Sequence, residues 1–274
     1  RFVEDDEDGS IYYITGNANR DDAHETLERA VLYASTDRGR SFAPRGSMLE
    51  WSSESDVLPL GGGRLLAVTR YQTRNCSDAP TLAAKDIGRA TGPHYQGTAV
   101  LFSGDRGYTW QTRGMVTGFA QQTACLVQLK SAIAIVFSHK DFANTSSGSF
   151  EHYGQRAILS YDEGRRWSNA ILELHHGGMY ASSVSLQPEP DGSQIVVSAF
   201  GDDSARLGAI RWRVPPRSSV EAYGTFAPIP IREPMPAPLP PGLPQPPLPP
   251  LPLPPPPAEA KAAGYGPPCA TLWE

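Results

Sequence analysis

One octet occurs three times in this chain, and it constrains the fold more than any other feature. The copies are Ser35-Thr36-Asp37-Arg38-Gly39-Arg40-Ser41-Phe42, Ser103-Gly104-Asp105-Arg106-Gly107-Tyr108-Thr109-Trp110 and Ser160-Tyr161-Asp162-Glu163-Gly164-Arg165-Arg166-Trp167. They share the pattern Ser-x-Asp-x-Gly-x-x-aromatic, and their starts lie 68 (103 − 35) and 57 (160 − 103) residues apart. Each follows a short apolar run: Ala30-Val31-Leu32-Tyr33, Ala99-Val100-Leu101-Phe102 and Ala157-Ile158-Leu159. The chemistry is that of a hairpin turn. The Asp carboxylate (Asp37, Asp105, Asp162) accepts backbone N–H bonds across the turn. The Gly (Gly39, Gly107, Gly164) supplies a positive φ. The final aromatic, Trp110 or Trp167 in the second and third copies, swings back to bury its ring on the sheet. Repetition at this period marks a repeat architecture.

Between the octets runs a second pattern. Val57-Leu58-Pro59-Leu60, a triple-Gly turn at 61–63 and Leu65-Leu66-Ala67-Val68 read as strand, tight turn, strand. Cys125 to Leu129 with Ile133 to Phe137, and Ser183 to Leu186 with Ile195 to Ser198, repeat it. The unit is strand A, tight turn, strand B, longer loop, strand C, octet turn, strand D. Four-stranded antiparallel sheets repeated in this way describe an all-β propeller. About four blades fit before residue 228, and Ile11-Tyr12-Tyr13-Ile14 reads as a strand B with no strand A before it.

Composition divides the chain in two. Positions 228 to 257 hold 17 of the 27 prolines. Such strings can form neither helix interior nor sheet ladder, because proline lacks an N–H. The expected division is a propeller body over 1–227 and a Pro-rich, extended or disordered tail over 228–274, dispensable for the fold. A linker or low-complexity extension is the plainer reading of the tail; a ligand for SH3- or WW-type domains is the functional one. The formal charge is −5, from 24 basic and 29 acidic residues, which argues against nucleic-acid binding. No apolar run is long enough to span a bilayer. Cys76, Cys125 and Cys269 have no metal-ligand spacing, so zinc, iron–sulfur and disulfide-scaffold readings fall away. His139, His175 and His176 lack HxH or HxxxH spacing, so neither metal nor cofactor is expected. The sequons Asn75-Cys76-Ser77 and Asn144-Thr145-Ser146 lean towards a secreted or endomembrane location. Residue 1 is Arg rather than Met, so the chain reads as a fragment or a processed product.

The octets resemble the Asp-boxes of sialidases and other BNR-repeat proteins, over roughly residues 10 to 213. The Asp-box also occurs in propellers that cleave nothing, so the resemblance implies the fold before it implies an activity. Alternation within a blade places the A–B and C–D turns, octets included, on one face. The B–C and D–A connections lie on the other, and that face is where a ligand is expected.

What the resemblance implies for the site is a Tyr nucleophile activated by a Glu, an Asp as acid and three Arg around a carboxylate. The stretch Gly178-Met179-Tyr180-Ala181-Ser182-Ser183-Val184, opening a strand A, is similar to the family's nucleophile stretch and nominates Tyr180. Glu54, opening another strand A, is the candidate proton acceptor. Asp21 and Asp22, in the loop before the first octet, are the candidate acids. Arg20, Arg70 and Arg156 are the cations near the mouth; Asp56, Gln122, His139 and His176 are further candidate contacts to substrate. Two departures stand out: the family's Arg-Ile-Pro motif is absent, and the blades fall short of six. The resulting expectation is a sialidase-like hydrolase of acidic glycans. The alternative is a non-catalytic carbohydrate- or protein-binding propeller.

Overall fold

The structure, a computed structural model, describes residues 2–17, 29–50, 52–73, 95–117, 121–140, 153–176, 179–201 and 207–231. It is a propeller of four antiparallel blades. Blade 1 comprises β1 (Val3–Glu4), β2 (Ile11–Asn17), β3 (Arg29–Ser35) and β4 (Ala43–Glu50), hydrogen-bonded in sequence order. Blade 2 repeats the order with β5 (Ser52–Gly61), β6 (Arg64–Thr73), β7 (Tyr95–Ser103) and β8 (Gln111–Met115). Blade 3 consists of β9 (Gln121–Gln128), β10 (Ile133–Lys140), β11 (Tyr153–Ser160) and β13 (Leu172–His176), with the two-residue β12 (Trp167–Ser168) between its last strands in sequence. Blade 4 has three strands, β14 (Met179–Ser185), β15 (Ile195–Gly201) and β16 (Leu207–Arg213).

Blade 1 is more complete than the sequence indicated. Strand β1 supplies the missing strand A, pairing Val3 with Tyr12 and Glu4 with Ile11. Two residues carry too little periodicity to be read from sequence; the turn behind them makes the pairing. Asp5 N–H donates to Ser10 O at 2.8 Å, Gly9 N–H donates to Asp5 O at 2.8 Å, and Gly9 has φ 69°.

Alternation along each strand gives every blade two apolar faces, and neighbouring blades bury them against each other. Tyr12, Leu32 and Ala34 of blade 1 meet Val57 and Leu65 of blade 2. Leu58, Leu66, Val68 and Val100 of blade 2 meet Leu126, Ile135, Phe137 and Ile158 of blade 3. Val127, Val136 and Leu159 of blade 3 meet Val196 and Trp212 of blade 4, where Cys125 is also buried.

The octets close as a shared local device. In each, the Ser hydroxyl accepts the N–H of the Gly at 2.8 Å and donates to the Asp carboxylate: 2.7 Å for Ser35–Asp37, 2.7 Å for Ser103–Asp105 and 2.9 Å for Ser160–Asp162. The carboxylate then takes N–H groups further on, from Ser41 and Thr109 at 2.9 Å and from Arg166 at 2.8 Å. The first Ser, unassigned in the sequence reading, is thus the hub of the turn. The glycines have φ 80°, 83° and 77°, and the residues before them, Arg38, Arg106 and Glu163, are also left-handed at 59–61°.

The octet aromatic packs towards the blade before its own. Trp167 of blade 3 is fully buried in the core shared with blade 2, and Trp110 of blade 2 packs on the core shared with blade 1. Removing an octet carboxylate therefore acts on folding. Asp105→Ala is expected to lower unfolding free energy by about 1–3 kcal/mol, through the N–H and hydroxyl groups left unpaired, in urea denaturation. Unchanged stability would mean that the octets are not structural.

Acid tests the same turns. The Ser41 hydroxyl, then the Ser41 N–H and the Ser35 hydroxyl, hold the Asp37 carboxyl down to about 2. In blade 4, Ser193 does the same for Asp191, also to about 2, with help from Arg213. Depressed carboxylates contribute stability that is present above their unfolded value of about 3.9 and lost as pH falls towards about 2. Unfolding midpoints should drop between pH 4 and pH 2, and the drop should be shallower in Asp37→Asn.

After β16 the chain enters a short helix, α1 (Arg217–Glu221), which the sequence reading did not anticipate; Val220 anchors it to the blade 3–blade 4 core. It then runs back across earlier blades. β17 (Thr225–Phe226) pairs with β12, and Ile229 exchanges two backbone hydrogen bonds with Met115 at the outer edge of blade 2, at 2.7 and 2.9 Å. Pro228 is buried, and Ile229 and Ile231 pack on the blade 1–blade 2 core. Contacts with the body thus continue past position 227, and a cut at Ala227 removes them. Residues 232–274 lie outside the described residues.

Candidate functional site

The octet face is stitched together by turn contacts. Arg106 N–H donates to Gly63 O at 2.8 Å within blade 2, and Arg64 of blade 2 pairs with Glu163 in the blade 3 octet at 2.6 Å. These bonds leave the opposite face as the candidate mouth. There the described residues are the starts of strands A and C and the ends of strands B and D. The four B–C connections, 18–28, 74–94, 141–152 and 202–206, lie outside the described residues. So do the candidates Arg20, Asp21 and Asp22 and both sequons.

Among the remaining candidates, Arg70, Arg156 and His139 lie on the sides of blades 2 and 3 that face each other. Arg70 follows Leu66 and Val68 along the face of β6 turned towards blade 3. On blade 3, Arg156 is the ladder partner of Phe137 and shares its face, and His139 lies two residues further along β10. Arg70 Nη1 pairs with Glu54 Oε2 at 2.8 Å, and Arg70 Nε donates to Ser53 Oγ at 2.9 Å. Arg156 Nη2 pairs with Glu173 Oε1 of β13 at 2.7 Å, and its Nε–H is buried with no acceptor among the described residues. The result is two largely buried guanidiniums, one paired with the partly buried Glu54 and one with the exposed Glu173. Each guanidinium keeps N–H donors beyond its carboxylate contact, the fork that binds carboxylates bidentately.

The structure assigns several candidates otherwise than expected. Glu54, the candidate proton acceptor, is engaged by Arg70. Asp56 is buried and fastens blade 2 to blade 3, with Oδ2 accepting Leu126 N–H at 2.8 Å and Oδ1 its neighbour Val57 N–H at 3.0 Å. His175 and His176 belong to strand β13, and the His175 ring stacks on Phe200 at 4.6 Å. Glu173, the partner of Arg156, was missed. It lies two residues before His175 in a short strand with no turn signal, and only the β11–β13 register brings it to Arg156. Tyr180 lies at the start of β14, a strand A as expected, beside a register shift between Met179 and Ser182. Gln122 opens β9, opposite Ser138. The side chains of Tyr180 and Gln122 are outside the described residues.

Strands A also line a central cavity of about 560 Å³, walled by Leu58, Leu126, Val127, Ser182 and Val197 and bordered by Phe2. No helix among the described residues is long and apolar enough to cross a membrane.

No family model and no curated protein matches the chain. Solved structures share its fold at low identity. A Dyadobacter fermentans protein of unknown function superposes with a TM-score of 0.51 at 16% identity, over 77% of this chain and 58% of that one. An α-L-arabinanase from Penicillium chrysogenum, solved with arabinobiose, gives 0.51 at 11% identity, over 81% and 64%. A Trypanosoma rangeli sialidase with sialic acid gives 0.46 at 14% identity, over 75% and 29%. The chain therefore spans about three fifths of the length of the first and of the arabinanase, and the likeness is one of fold.

Proposed function

We propose that this chain is part of a propeller glycoside hydrolase that removes a terminal acidic sugar from a glycan. The observation that carries the reading is the pair of largely buried guanidiniums on the facing sides of blades 2 and 3, Arg70 with Glu54 and Arg156 with the more exposed Glu173, away from the octets. Partly dehydrated ion pairs add little to stability, whereas fixed guanidinium forks beside fixed carboxylates suit a ligand that carries both charge and hydroxyls. Tyr180 is the proposed nucleophile. A neutral phenol avoids repulsion from a sugar carboxylate, and it needs a base to take its proton as it attacks the anomeric carbon. Glu54 fills that role if substrate binding draws Arg70 away to the sugar carboxylate.

A neutral-sugar reading has an observation of its own. The solved relative at a TM-score of 0.51 for which an activity is given is an arabinanase holding arabinobiose, and both arginines already have carboxylate partners. The discriminating experiment compares an aryl sialoside with an aryl α-L-arabinofuranoside on the same preparation. The acidic-sugar reading expects turnover of the sialoside, with Arg156→Lys mainly raising KM because Lys cannot form the fork. Turnover of the arabinofuranoside alone would reject the acidic sugar. Absence of turnover, with glycan binding that disappears in Arg70→Ala, would reassign the site to a non-catalytic binding propeller.

A further inference from the structure

Three of the described strands A open at the mouth on the same irregularity. In β5, β9 and β14 two residues face one on the neighbouring strand B: Ser53 and Glu54 face Arg70, Thr123 and Ala124 face Phe137, and Tyr180 and Ala181 face Phe200. Two residues against one make a β-bulge. In blade 2 the single residue holds the pair, since Arg70 binds Glu54 at 2.8 Å and donates to Ser53 Oγ at 2.9 Å. In blade 3 it is Phe137, fully buried in the core shared with blade 2. In blade 4 it is Phe200, which is half-buried.

Phe200 is held from two sides. Gly208 of β16 is its ladder partner, and the ring leans over that glycine. A Cβ at position 208 would lie 2.6 Å from Cε2 and Cζ of the ring. From blade 3, His175 at the end of β13 stacks on the ring at 4.6 Å, an attractive arrangement because ring faces and edges carry opposite partial charge. The ring thus points across β16 and away from β14. Strand β15 lies between the two, so a ring driven off β16 meets the bulge of Tyr180 and Ala181 on its other flank. Gly208 has no positive φ; what glycine provides there is room for the ring.

We propose that Phe200 is a positioning residue for Tyr180: locked between Gly208 and His175, it fixes the strand opposite the bulge and keeps its ring clear of the two residues that form it. This rests on the reading of Tyr180 as nucleophile, and adds that part of its placement comes from blade 3 through His175.

Gly208→Ala in the full chain tests the role, because the added methyl displaces the ring without straining the backbone. Misplacing a reacting group by about 1 Å can cost about a hundredfold in rate. On whichever aryl glycoside the protein cleaves, sialoside or arabinofuranoside, Gly208→Ala should lower kcat by about tenfold to a hundredfold and leave KM within about twofold. Combining Gly208→Ala with Phe200→Leu should recover most of the loss, since the methyl then has no ring to push. Hydrogen exchange of the backbone amides at 180–182, read by mass spectrometry, should be several-fold faster in Gly208→Ala and close to wild type in the double variant. Unchanged kcat or unchanged exchange in Gly208→Ala would overturn the proposal. So would an equal loss in the double variant, since the effect would then bypass the ring. The two readings fail separately. Full activity in Tyr180→Phe removes the nucleophile, whereas an enzyme silenced by Tyr180→Phe and untouched by Gly208→Ala loses only the role of Phe200.

Discussion

Replacing Trp167 by Ala is expected to lower the unfolding free energy by about 3–5 kcal/mol, the range for deleting a large buried aromatic side chain. Trp167 is fully buried in the core where Leu58, Leu66 and Val68 of blade 2 meet Ile135, Phe137 and Ile158 of blade 3. It belongs to neither blade alone, so truncation leaves a cavity at a seam between two sheets, which cannot collapse without moving one of them. The ring also holds β12, whose backbone pairs with β17 and so fastens the returning C-terminal segment. Trp167→Phe should lose much less, about 1.5 kcal/mol or below, because the indole N–H has no acceptor among the described residues and its removal breaks no hydrogen bond. Phe42→Ala provides the contrast. The same octet position in blade 1 packs on the outward aromatic face, not on an inter-blade seam. Urea unfolding of the three variants measures the ranking. A Phe42→Ala loss equal to that of Trp167→Ala would mean that the outward face is covered in solution by something as well packed as a neighbouring blade.

Tyr180→Phe is expected to lower kcat by about a thousandfold or more if the protein acts as a glycosidase through this residue. KM should change little, because the phenol oxygen contributes to the bond being formed more than to ground-state binding. Stability should also change little, since the substitution removes one atom at the start of β14, beside the bulge between Met179 and Ser182. Irregularities of this kind recur next to active sites. The measurement is steady-state kinetics on the cleaved aryl glycoside, with circular dichroism as the check on folding. Full activity in Tyr180→Phe would remove Tyr180 as nucleophile and leave Arg70 and Arg156 as the only tested part of the site.

The octets illustrate what could be read without a structure. Ser35 and Asp37, Ser103 and Asp105, and Ser160 and Asp162 find all their turn partners within a few residues, so the chemistry of the turn is complete inside the octet. With the turn comes the C–D hairpin, and with the hairpin the alternation that assigns one face of each blade to each neighbour. The first three blades and the face on which Arg70 and Arg156 lie are consequences of that local code; the fourth, which has three strands and no octet, was read from its A–B hairpin. The position of Tyr180 at the start of a strand A was legible for the same reason, since Gly turns bracket both strands of the hairpin.

The site was legible only as a set of residue types. Which carboxylate meets which guanidinium depends on ladder register, and both Arg–Glu pairs adjoin an irregularity in it: one between Ser52 and Ser55, the other between Gln155 and Arg156. A one-residue shift sends a side chain to the other face of the sheet, and no local pattern announces where a bulge will fall. Asp56 looked like a mouth residue until the packing of β5 against β9 delivered the Leu126 N–H to it, a partner 70 residues away. The strap of Thr225 to Ile231 is decided in the same way. Its own residues, rich in proline, resemble the start of the tail, and only the free edge of blade 2 at Met115 turns them into part of the body. Turns closed by neighbours in the chain were determined by the sequence itself; contacts between blades, which need the register of two sheets at once, were decided by the tertiary structure.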